Sequence, residues 1–288
     1  MRAFLALVVV VLSFTEVVSQ SFYAIRRERS LILVGGTGTS TYFGELSNDG
    51  DYIDAKPNIN VGLQYFVTKR VSARAEITWF TLAGTDEKAD EGSGRRERNL
   101  SFKSSNYEVN LSGAINLFSN TDRYYRRPNF NAYLFTGVGF MYSNPKTEYN
   151  GEKIALRPLK TEGVSYGAFG IVIPYGFGLR WKLNPMFNVV VEGGWRKIFT
   201  DYLDDVSTVH QNPSSFTDPI AAALSDRRPE IGLPKALPGS IRGNPKKDDA
   251  YMLFNAKIEY YLPWSFNQNK GTYSKKRKAL NRRSKVRK

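Results

Sequence analysis

The chain has 288 residues, a formal net charge of +14 at pH 7 and no cysteine, so packing and hydrogen bonds rather than disulfides must hold its fold. Ten basic residues and no acidic residue occupy the segment 270–288, which leaves the rest of the chain nearly balanced. This distribution argues against a basic nucleic-acid-binding body and indicates a separate basic tail.

The N-terminal segment 1–20 predicts a secretory signal peptide. Arg2 precedes an uninterrupted apolar run, 3–12, and the small residue Ser19 offers a cleavage position just before Gln20. An uncleaved membrane anchor is the alternative, although the run is short for a spanning helix. No cysteine follows the run, which excludes a lipoprotein. Beyond residue 20 no stretch reaches the ~18–20 apolar residues of a transmembrane helix, so a membrane-embedded chain would be a barrel.

Eight segments alternate between apolar and polar residues with a period of two. Because successive side chains of a β-strand point to opposite faces, each segment predicts a strand with one apolar and one hydrophilic face. The alternation is weaker in the first and fifth segments than in the other six. In chain order the predicted strands are 31–44, 58–67, 71–79, 107–117, 131–143, 171–182, 187–196 and 252–262.

The connections between these segments alternate in length. Short or moderate turns at 68–70, 119–129 and 184–186 alternate with longer loops at 45–56, 85–100, 144–168 and 200–250. Outer-membrane barrels have an even number of strands, short periplasmic turns and long outer loops. The pattern therefore predicts an all-β, eight-stranded antiparallel transmembrane β-barrel in the outer membrane, with both termini in the periplasm.

A soluble barrel of the lipocalin kind would show the same alternation, with the apolar face turned inward. Aromatic residues near the predicted strand ends favour the membrane barrel, because such residues form girdles at the two membrane interfaces. These residues are Tyr42, Phe43, Trp79, Phe80, Phe118, Tyr142, Trp181, Phe199, Tyr260, Tyr261 and Trp264. We therefore expect outer-membrane lipid to contact the apolar face.

The polar faces of the strands would then line the interior. They carry five basic and four acidic residues, namely Arg74, Arg180, Lys182, Arg196 and Lys257 with Glu76, Glu108, Glu192 and Glu259. An eight-stranded barrel is only just wide enough for its own side chains. Nearly cancelling charges in so narrow a space predict a salt-bridged, filled interior rather than a channel, and place the function in the loops and the tail.

Few residues suggest catalysis or metal binding. His210, the single histidine, lies in the longest loop, and three acids are near it in sequence: Asp201, Asp204 and Asp205. A His–Asp pair could serve general acid–base hydrolysis, but no Ser or Cys nucleophile is fixed on a strand beside it. We expect a solvated loop histidine. The acids fit no calcium-loop spacing, and glycines 35–38 are better explained as strand glycines than as a phosphate loop. We expect no enzyme activity, cofactor, metal or small-molecule substrate.

Several strings of residues resemble those of a known family. They are LVGGTGTSTYFGEL (33–46), RNLSF (98–102), TEG (161–163), IPYGFG (173–178), FTDYLDDVST (199–208) and RGNP (242–245). Together, over 31–262, they resemble the PorG-type outer-membrane β-barrels of the type IX secretion system. The most distinctive string is carried over as a family signature of unknown role, and it contains Thr200, Asp201, Tyr202, Leu203, Asp204 and Asp205.

The resemblance implies a non-enzymatic barrel that ties the periplasmic ring of the secretion machine to the outer membrane, in support of protein export and gliding. Related copies in one genome need not all serve that machine. The resemblance does not extend to the basic tail. Physically, a periplasmic arm of this charge could hold an acidic ring protein in a salt-dependent manner. The residues expected to do so are Lys275, Lys276, Arg277, Lys278, Arg282 and Arg283.

The sequence thus predicts a signal peptide (1–20), an outer-membrane barrel (21–269) and a basic periplasmic tail (270–288). The predicted function is that of an anchor for a secretion complex, with periplasmic ring proteins as partners and no nucleic acid. Two alternatives stay open. One is a structural or adhesive barrel of the OmpA kind that presents the 200–250 loop, and the other is a barrel enzyme that uses His210.

Overall fold

The computed structural model describes residues 29–48, 55–121, 123–245 and 248–263. The predicted signal peptide and the predicted basic tail lie outside these residues. Eight long antiparallel strands pair with their neighbours, and the pairing of the first strand with the last closes the ring. The all-β, eight-stranded antiparallel barrel predicted from the sequence is confirmed.

The barrel strands are β1 (Leu31–Phe43), β2 (Lys56–Phe66), β3 (Val71–Thr85), β4 (Ser101–Asn116), β5 (Phe130–Tyr142), β8 (Phe169–Lys182), β9 (Phe187–Ile198) and β10 (Ala250–Tyr261). Two further strands, β6 (Lys146–Tyr149) and β7 (Glu152–Ala155), form a hairpin between β5 and β8. The helices are α1 (Arg95–Arg98) and α2 (Pro219–Ser225). Single 3-10 turns are Asp86–Lys88, Tyr124–Arg126, Arg157–Leu159, Pro213–Ser215 and Arg228–Ile231.

All eight predicted strands are present, whereas the β6–β7 hairpin was expected to be loop. Its strands have only four residues each, too few for a period of two to stand out. None of the helices in the described ranges is long and apolar enough to cross a membrane.

The barrel is polar inside and apolar outside. In β2, for example, Asn60 is 3% exposed while the neighbouring Ile59 is 57% exposed. The same contrast runs around the ring, and exposed apolar side chains on the outer face include Val61, Leu63, Ile77, Val109, Leu111, Ile115, Leu134, Phe140, Ile171, Phe177, Phe254 and Ile258. The lipocalin-like alternative required the opposite arrangement and is wrong for this chain. This inside-out pattern is that of an outer-membrane barrel.

The aromatic residues near the strand ends do not all belong to interface girdles. Phe118, Trp181 and Phe199 are exposed on the outer face, as the girdle interpretation predicts. Tyr42, Phe80 and Tyr261 are buried, however, and were wrongly assigned to the girdles. They fill the two ends of the barrel instead.

The two ends differ in the length of their connections. The short-turn end carries the connections β2–β3, β4–β5 and β8–β9, together with the start of β1 and the end of β10. The loop end carries the connections β1–β2, β3–β4, β5–β8 and β9–β10. We call the described parts of the segments 86–100, 143–168 and 199–249 at the loop end the cap.

Apolar clusters close both ends around the polar middle. At the loop end, buried strand side chains such as Phe80, Val172 and Tyr251 pack against Leu203 and Leu224 of the cap. At the short-turn end, the buried cluster contains Ile32, Val34, Tyr124, Met186 and Tyr261. Each large apolar side chain buried in this way contributes about 1.5–3 kcal/mol, so the cap is held to the barrel by a core of its own.

Candidate functional site: the charged interior and the cap

The interior is built around Glu192 of β9. Arg74 of β3 donates two hydrogen bonds to its carboxylate, at 2.7 and 3.0 Å. Lys257 of β10 bridges Glu192 and Glu76, with N–O distances of 2.8 and 2.7 Å. The hydroxyl of Tyr133 donates a further bond to Glu192 at 2.6 Å. Four strands are thereby joined across the middle of the barrel.

The other predicted interior charges form two more pairs. Arg180 donates to Glu259 at 2.7 and 3.0 Å, and Arg196 lies 3.6 Å from Glu108. Lys182 is the exception, because it lies at the end of β8, is only partly buried, and donates to a backbone carbonyl outside the lumen network. Eight of the nine predicted interior charges are therefore confirmed as buried, and the salt-bridged, filled interior is confirmed with them.

Several of the resemblance strings meet in the cap, although they are far apart in sequence. Glu162 accepts a hydrogen bond from Arg242 at 2.7 Å and bonds from the backbone amides of Ser207 and Thr208 at 3.0 and 2.8 Å. Arg242 also donates to the backbone carbonyl of Asp205 at 2.6 Å. Although burial opposes it, the charge of Arg242 together with these hydrogen bonds holds the pKa of Glu162 below its usual range.

Arg98 joins two further strings to the same centre. Its guanidinium donates to the carboxylate of Asp86 at 2.7 and 3.0 Å, and to the backbone carbonyls of Glu45 and Arg242. Strings that begin at residues 33, 98, 161, 199 and 242 thus converge on one polar core. The signal for this was present in the sequence as the resemblance strings, but their convergence required the fold.

The signature residues pin the cap to the rim of the barrel. Leu203 is 1% exposed, and its amide donates to Asp249 at 2.9 Å. Asp204 accepts the hydroxyl of Tyr42 at 2.7 Å and the amide of Val206 at 2.9 Å. These contacts tie the start of the long loop to β1 and to the residue that precedes β10.

The rest of the signature turns toward the β5–β8 segment. Asp205 adopts φ 70°, in the left-handed region, and accepts the hydroxyls of Thr161 and Tyr166 at 2.5 and 2.6 Å. The ring of Tyr202 stacks on that of Tyr166 at 4.8 Å. Its amide donates to the hydroxyl of Thr200 at 3.3 Å. Five of the six signature residues thus make contacts that hold the cap together or attach it to the barrel. The sixth, Asp201, lies next to the carboxylates of Glu45 and Asp249.

An acidic cluster lies under the cap. Carboxylate oxygens of Glu45, Asp201 and Asp249 lie within 4.8 Å of one another, and Asp204 shares the Tyr42 hydroxyl with Asp249. Burial raises the pKa of Asp201 to about 7, and the charge of Glu45 acts in the same direction. Burial also raises the pKa values of Asp204 and Asp249. Carboxylates this close repel one another when they are ionised. A shared cation would relieve this repulsion, and so would protonation of the carboxylates whose pKa is raised.

The composition of this cluster differs from the calcium-binding set considered from sequence. Asp205 belongs to the Glu162–Arg242 centre instead, while Glu45 and Asp249 join from distant segments. Nothing local marks Asp249 as a member of a site, because Tyr42, Glu45 and Asp201 are far from it in sequence.

His210 is not the solvated loop histidine that we expected. It is 5% exposed, its amide donates to the carbonyl of Ser240 at 2.9 Å, and its carbonyl accepts the amide of Gly239 at 2.8 Å. Burial lowers the pKa of His210, and the charge of Arg242 lowers it further. Within the described residues its Nδ1 has no hydrogen-bond partner, so the His–Asp pair of the enzyme hypothesis does not form through that atom.

Comparison with known proteins gives one family and a set of similar folds. The family model described as "Domain of unknown function (DUF6089)" matches residues 2–217. No curated protein matches the chain. Among solved structures, Neisserial surface protein A is 7% identical, with 81% of this chain and 97% of that chain covered and a TM-score of 0.42. Ail of Yersinia pestis, solved with the heparin analogue sucrose octasulfate, is 10% identical, with coverages of 81% and 98% and a TM-score of 0.40. OprG of Pseudomonas aeruginosa is 10% identical, with coverages of 83% and 99% and a TM-score of 0.38.

Proposed function

The chain belongs to the DUF6089 family, and from that premise we propose that it is a closed, non-enzymatic outer-membrane barrel that anchors a protein complex. The observation that carries this proposal is the filled interior. Buried ion pairs occupy the middle of the barrel, and apolar clusters occupy both of its ends. A barrel without an open lumen has its outer surface, its loops and its tail left for function.

We propose that the anchored complex is the periplasmic ring of a type IX secretion machine. The resemblance strings support this assignment, and five of them converge on the polar core of the cap. In outer-membrane barrels the long loops face outward and the short turns face the periplasm. On that orientation both termini are periplasmic, and the tail emerges on the side where a ring would lie.

The basic tail is proposed to supply the contact with the ring. Its ten positive charges would attract an acidic surface, steer its approach and weaken with added salt. Lys275, Lys276, Arg277, Lys278, Arg282 and Arg283 are the residues proposed to make this contact.

The test is a cross-linked pull-down of the full-length protein from isolated outer membranes, read by mass spectrometry at low and high salt. We expect periplasmic ring proteins, and we expect truncation after Gln268 to abolish their salt-sensitive capture. Replacing the exposed Lys146 and Lys153 of the β6–β7 hairpin by glutamine is the control, and it should leave capture unchanged. Unchanged capture by the truncated chain contradicts the role of the tail, and recovery of no ring protein by the full-length chain contradicts the anchor.

One observation favours a second candidate function, a structural or adhesive barrel of the OmpA kind. The two most exposed large apolar side chains of the cap are Leu237 at 78% and Ile241 at 82%, outside the lipid-facing belt. A cap that binds an external surface would use such residues. Intact secretion in a deletion strain, with loss of adhesion in a Leu237→Ser, Ile241→Ser variant, would favour this function over the anchor.

A further inference from the structure

The cap contains a second polar feature, which shares Arg242 with the Glu162–Arg242 centre. It is an open pocket of about 270 Å³ beside α1 and the 3-10 turn Arg228–Ile231. Four arginines and the single histidine of the chain line it: Arg95, Arg98, Arg228, Arg242 and His210. One acid, Glu97, also lines the pocket.

Three of these side chains hold buried nitrogen atoms that have no hydrogen-bond partner among the described residues. They are Nε of Arg95, Nε of Arg228 and Nδ1 of His210. His210 is 5% exposed. Buried polar atoms are nearly always hydrogen-bonded, so three such atoms around one pocket are available to bind a polar group that enters it.

The arginines differ in how far the protein already engages them. Arg98 and Arg242 already bind Asp86 and Glu162 and backbone carbonyls. These contacts hold the two guanidinium groups in place at the wall of the pocket. Nε of Arg95 lies 3.5 Å from an oxygen of Asp86, beyond good hydrogen-bond geometry. Nη1 of Arg95 donates to the backbone carbonyl of Ser47 at 2.7 Å, so this side chain is anchored at one atom while its Nε stays without a partner.

Arg228 is the least engaged arginine of the pocket. Its nearest acid is Glu97, at 3.8 Å, and the side chain of Glu97 is 64% exposed. Water and salt therefore screen this attraction strongly. Arg228 and Arg95 thus keep donors for an incoming anion, whereas the acids Asp86 and Glu162 are buried and do not line the pocket.

We propose that this pocket binds an oxyanion, a phosphate or sulfate group, through Arg95, Arg228 and His210. The planar donor fork of arginine matches the oxygens of such groups and forms charge-assisted hydrogen bonds with them. The pocket leaves room for the sugar or headgroup that carries the anion, and the exposed Ile241 at its rim offers an apolar contact.

His210 gives the site a pH dependence. The charged groups that act on it are Arg242, Arg228 and Arg98, which disfavour its protonation, and Asp226, which favours it. A bound oxyanion adds negative charge beside the ring and so favours the imidazolium. Affinity should therefore rise as pH falls through the pKa of His210, because each event promotes the other.

The single histidine makes the test direct. Untagged full-length protein, labelled with [¹⁵N]histidine and held in a maltoside detergent without phosphate groups, gives the two ring-nitrogen signals of a single imidazole. We expect inorganic phosphate to shift the Nδ1 signal saturably, with chloride at equal ionic strength as the reference. Arg95→Gln and Arg228→Gln should each weaken binding by about tenfold, the typical loss for a hydrogen bond to a charged group. Arg123→Gln, an exposed arginine at the short-turn end, should bind as the wild type does.

The proposal is overturned if phosphate shifts the signal no more than chloride does, or if both pocket variants bind like the wild type. The two variants guard against a single misfolded protein, and the spectrum of each variant checks its cap. A further arm replaces inorganic phosphate by lipid A in the same micelles. Tighter binding of lipid A identifies a membrane-borne phosphate as the source, and equal binding identifies a free oxyanion.

Discussion

Glu192 is the residue on which the charged interior most depends. It accepts hydrogen bonds from Arg74, Tyr133 and Lys257, all of them buried. Glu192→Gln removes the negative charge and leaves the buried cations Arg74 and Lys257 with a single neighbouring carboxylate, that of Glu76. Because breaking a buried ion pair in this way costs about 3–5 kcal/mol, we expect the free energy of unfolding to fall by that amount.

The measurement is urea unfolding of the barrel refolded in lipid vesicles, followed by the gel shift between folded and heat-denatured forms. Glu152→Gln, at an exposed position of β7, is the matched control and should change stability by less than about 0.5 kcal/mol. A Glu192→Gln variant as stable as this control would mean that the interior ion pairs do not contribute to the stability of the barrel.

The raised pKa of Asp201 should make the stability of the protein depend on pH. Burial raises its pKa from the usual 3.8 to about 7, so the folded protein binds this proton more tightly than the unfolded chain does. The free energy of unfolding should therefore fall as pH rises from about 4 to about 7, and this contribution should be level outside that window. Because Asp201 is partly exposed, we expect a change of about 2 kcal/mol rather than the larger value that the full shift would give.

Asp201→Asn cannot ionise, so we expect it to flatten this fall by one proton and to be more stable than the wild type at pH 8. Asp204 and Asp249 act in the same direction and should leave part of the slope in place. Urea midpoints between pH 4 and pH 8 measure the effect, with the exposed Asp90→Asn as the control. An unaltered slope in Asp201→Asn would show that the pKa of Asp201 is ordinary.

The strength of sequence prediction at the level of residues depended on whether the relevant contact was local. Strand alternation placed Arg74, Glu192 and Lys257 on the inward face correctly, because the period of two fixes the side of the sheet. It could not place Glu45 beside Asp201 and Asp249, since their proximity depends on how two loops, β1–β2 and β9–β10, fold together. His210 was misjudged for the same reason.

Among the elements, the junction of β1 and β10 closes the barrel and needs glycine at inward positions, of which Gly36 is one. A Cβ on Gly36 would lie 2.8 Å from both Cα and Cγ of Lys257 on the facing strand. Gly36→Ala should therefore destabilise the barrel by about 1–3 kcal/mol through overpacking, or prevent closure. Gly113→Ala is the matched control, because a Cβ on Gly113 meets no atom within 4 Å.

Refolding yield and urea unfolding of the two variants, read by the same gel shift, decide the matter. Equal behaviour of Gly36→Ala and Gly113→Ala would contradict the close approach of β1 to β10.

The long strands were predictable because each has at least eleven residues over which alternation can be read. The short hairpin β6–β7 and the internal packing of the cap were not, since their structure depends on partners elsewhere in the chain.

For the whole molecule, alternation alone left two barrels possible, one with the apolar face outward and one with it inward. Both satisfy the same period of two. The burial of four acids and four bases as pairs decides between them, because a soluble barrel would fill its interior with the apolar face. The aromatic girdles were a weaker guide, since Tyr42, Phe80 and Tyr261 lie inside.

A barrel filled in this way should not conduct ions. Reconstituted in planar bilayers, the full-length protein should give no stable conductance steps, because Arg74, Glu192 and Lys257 bridge the lumen and leave no continuous water path. A variant in which 200–248 is replaced by a short turn removes the long segment of the cap but keeps this network, and it should be silent as well. Conductance in that variant alone would make the cap a gate over an open lumen, and conductance in the intact protein would contradict the closed anchor altogether. Silence in both would place the barrier within the barrel itself, in the ion pairs and the apolar cluster at the short-turn end, as expected of a barrel that serves as an anchor.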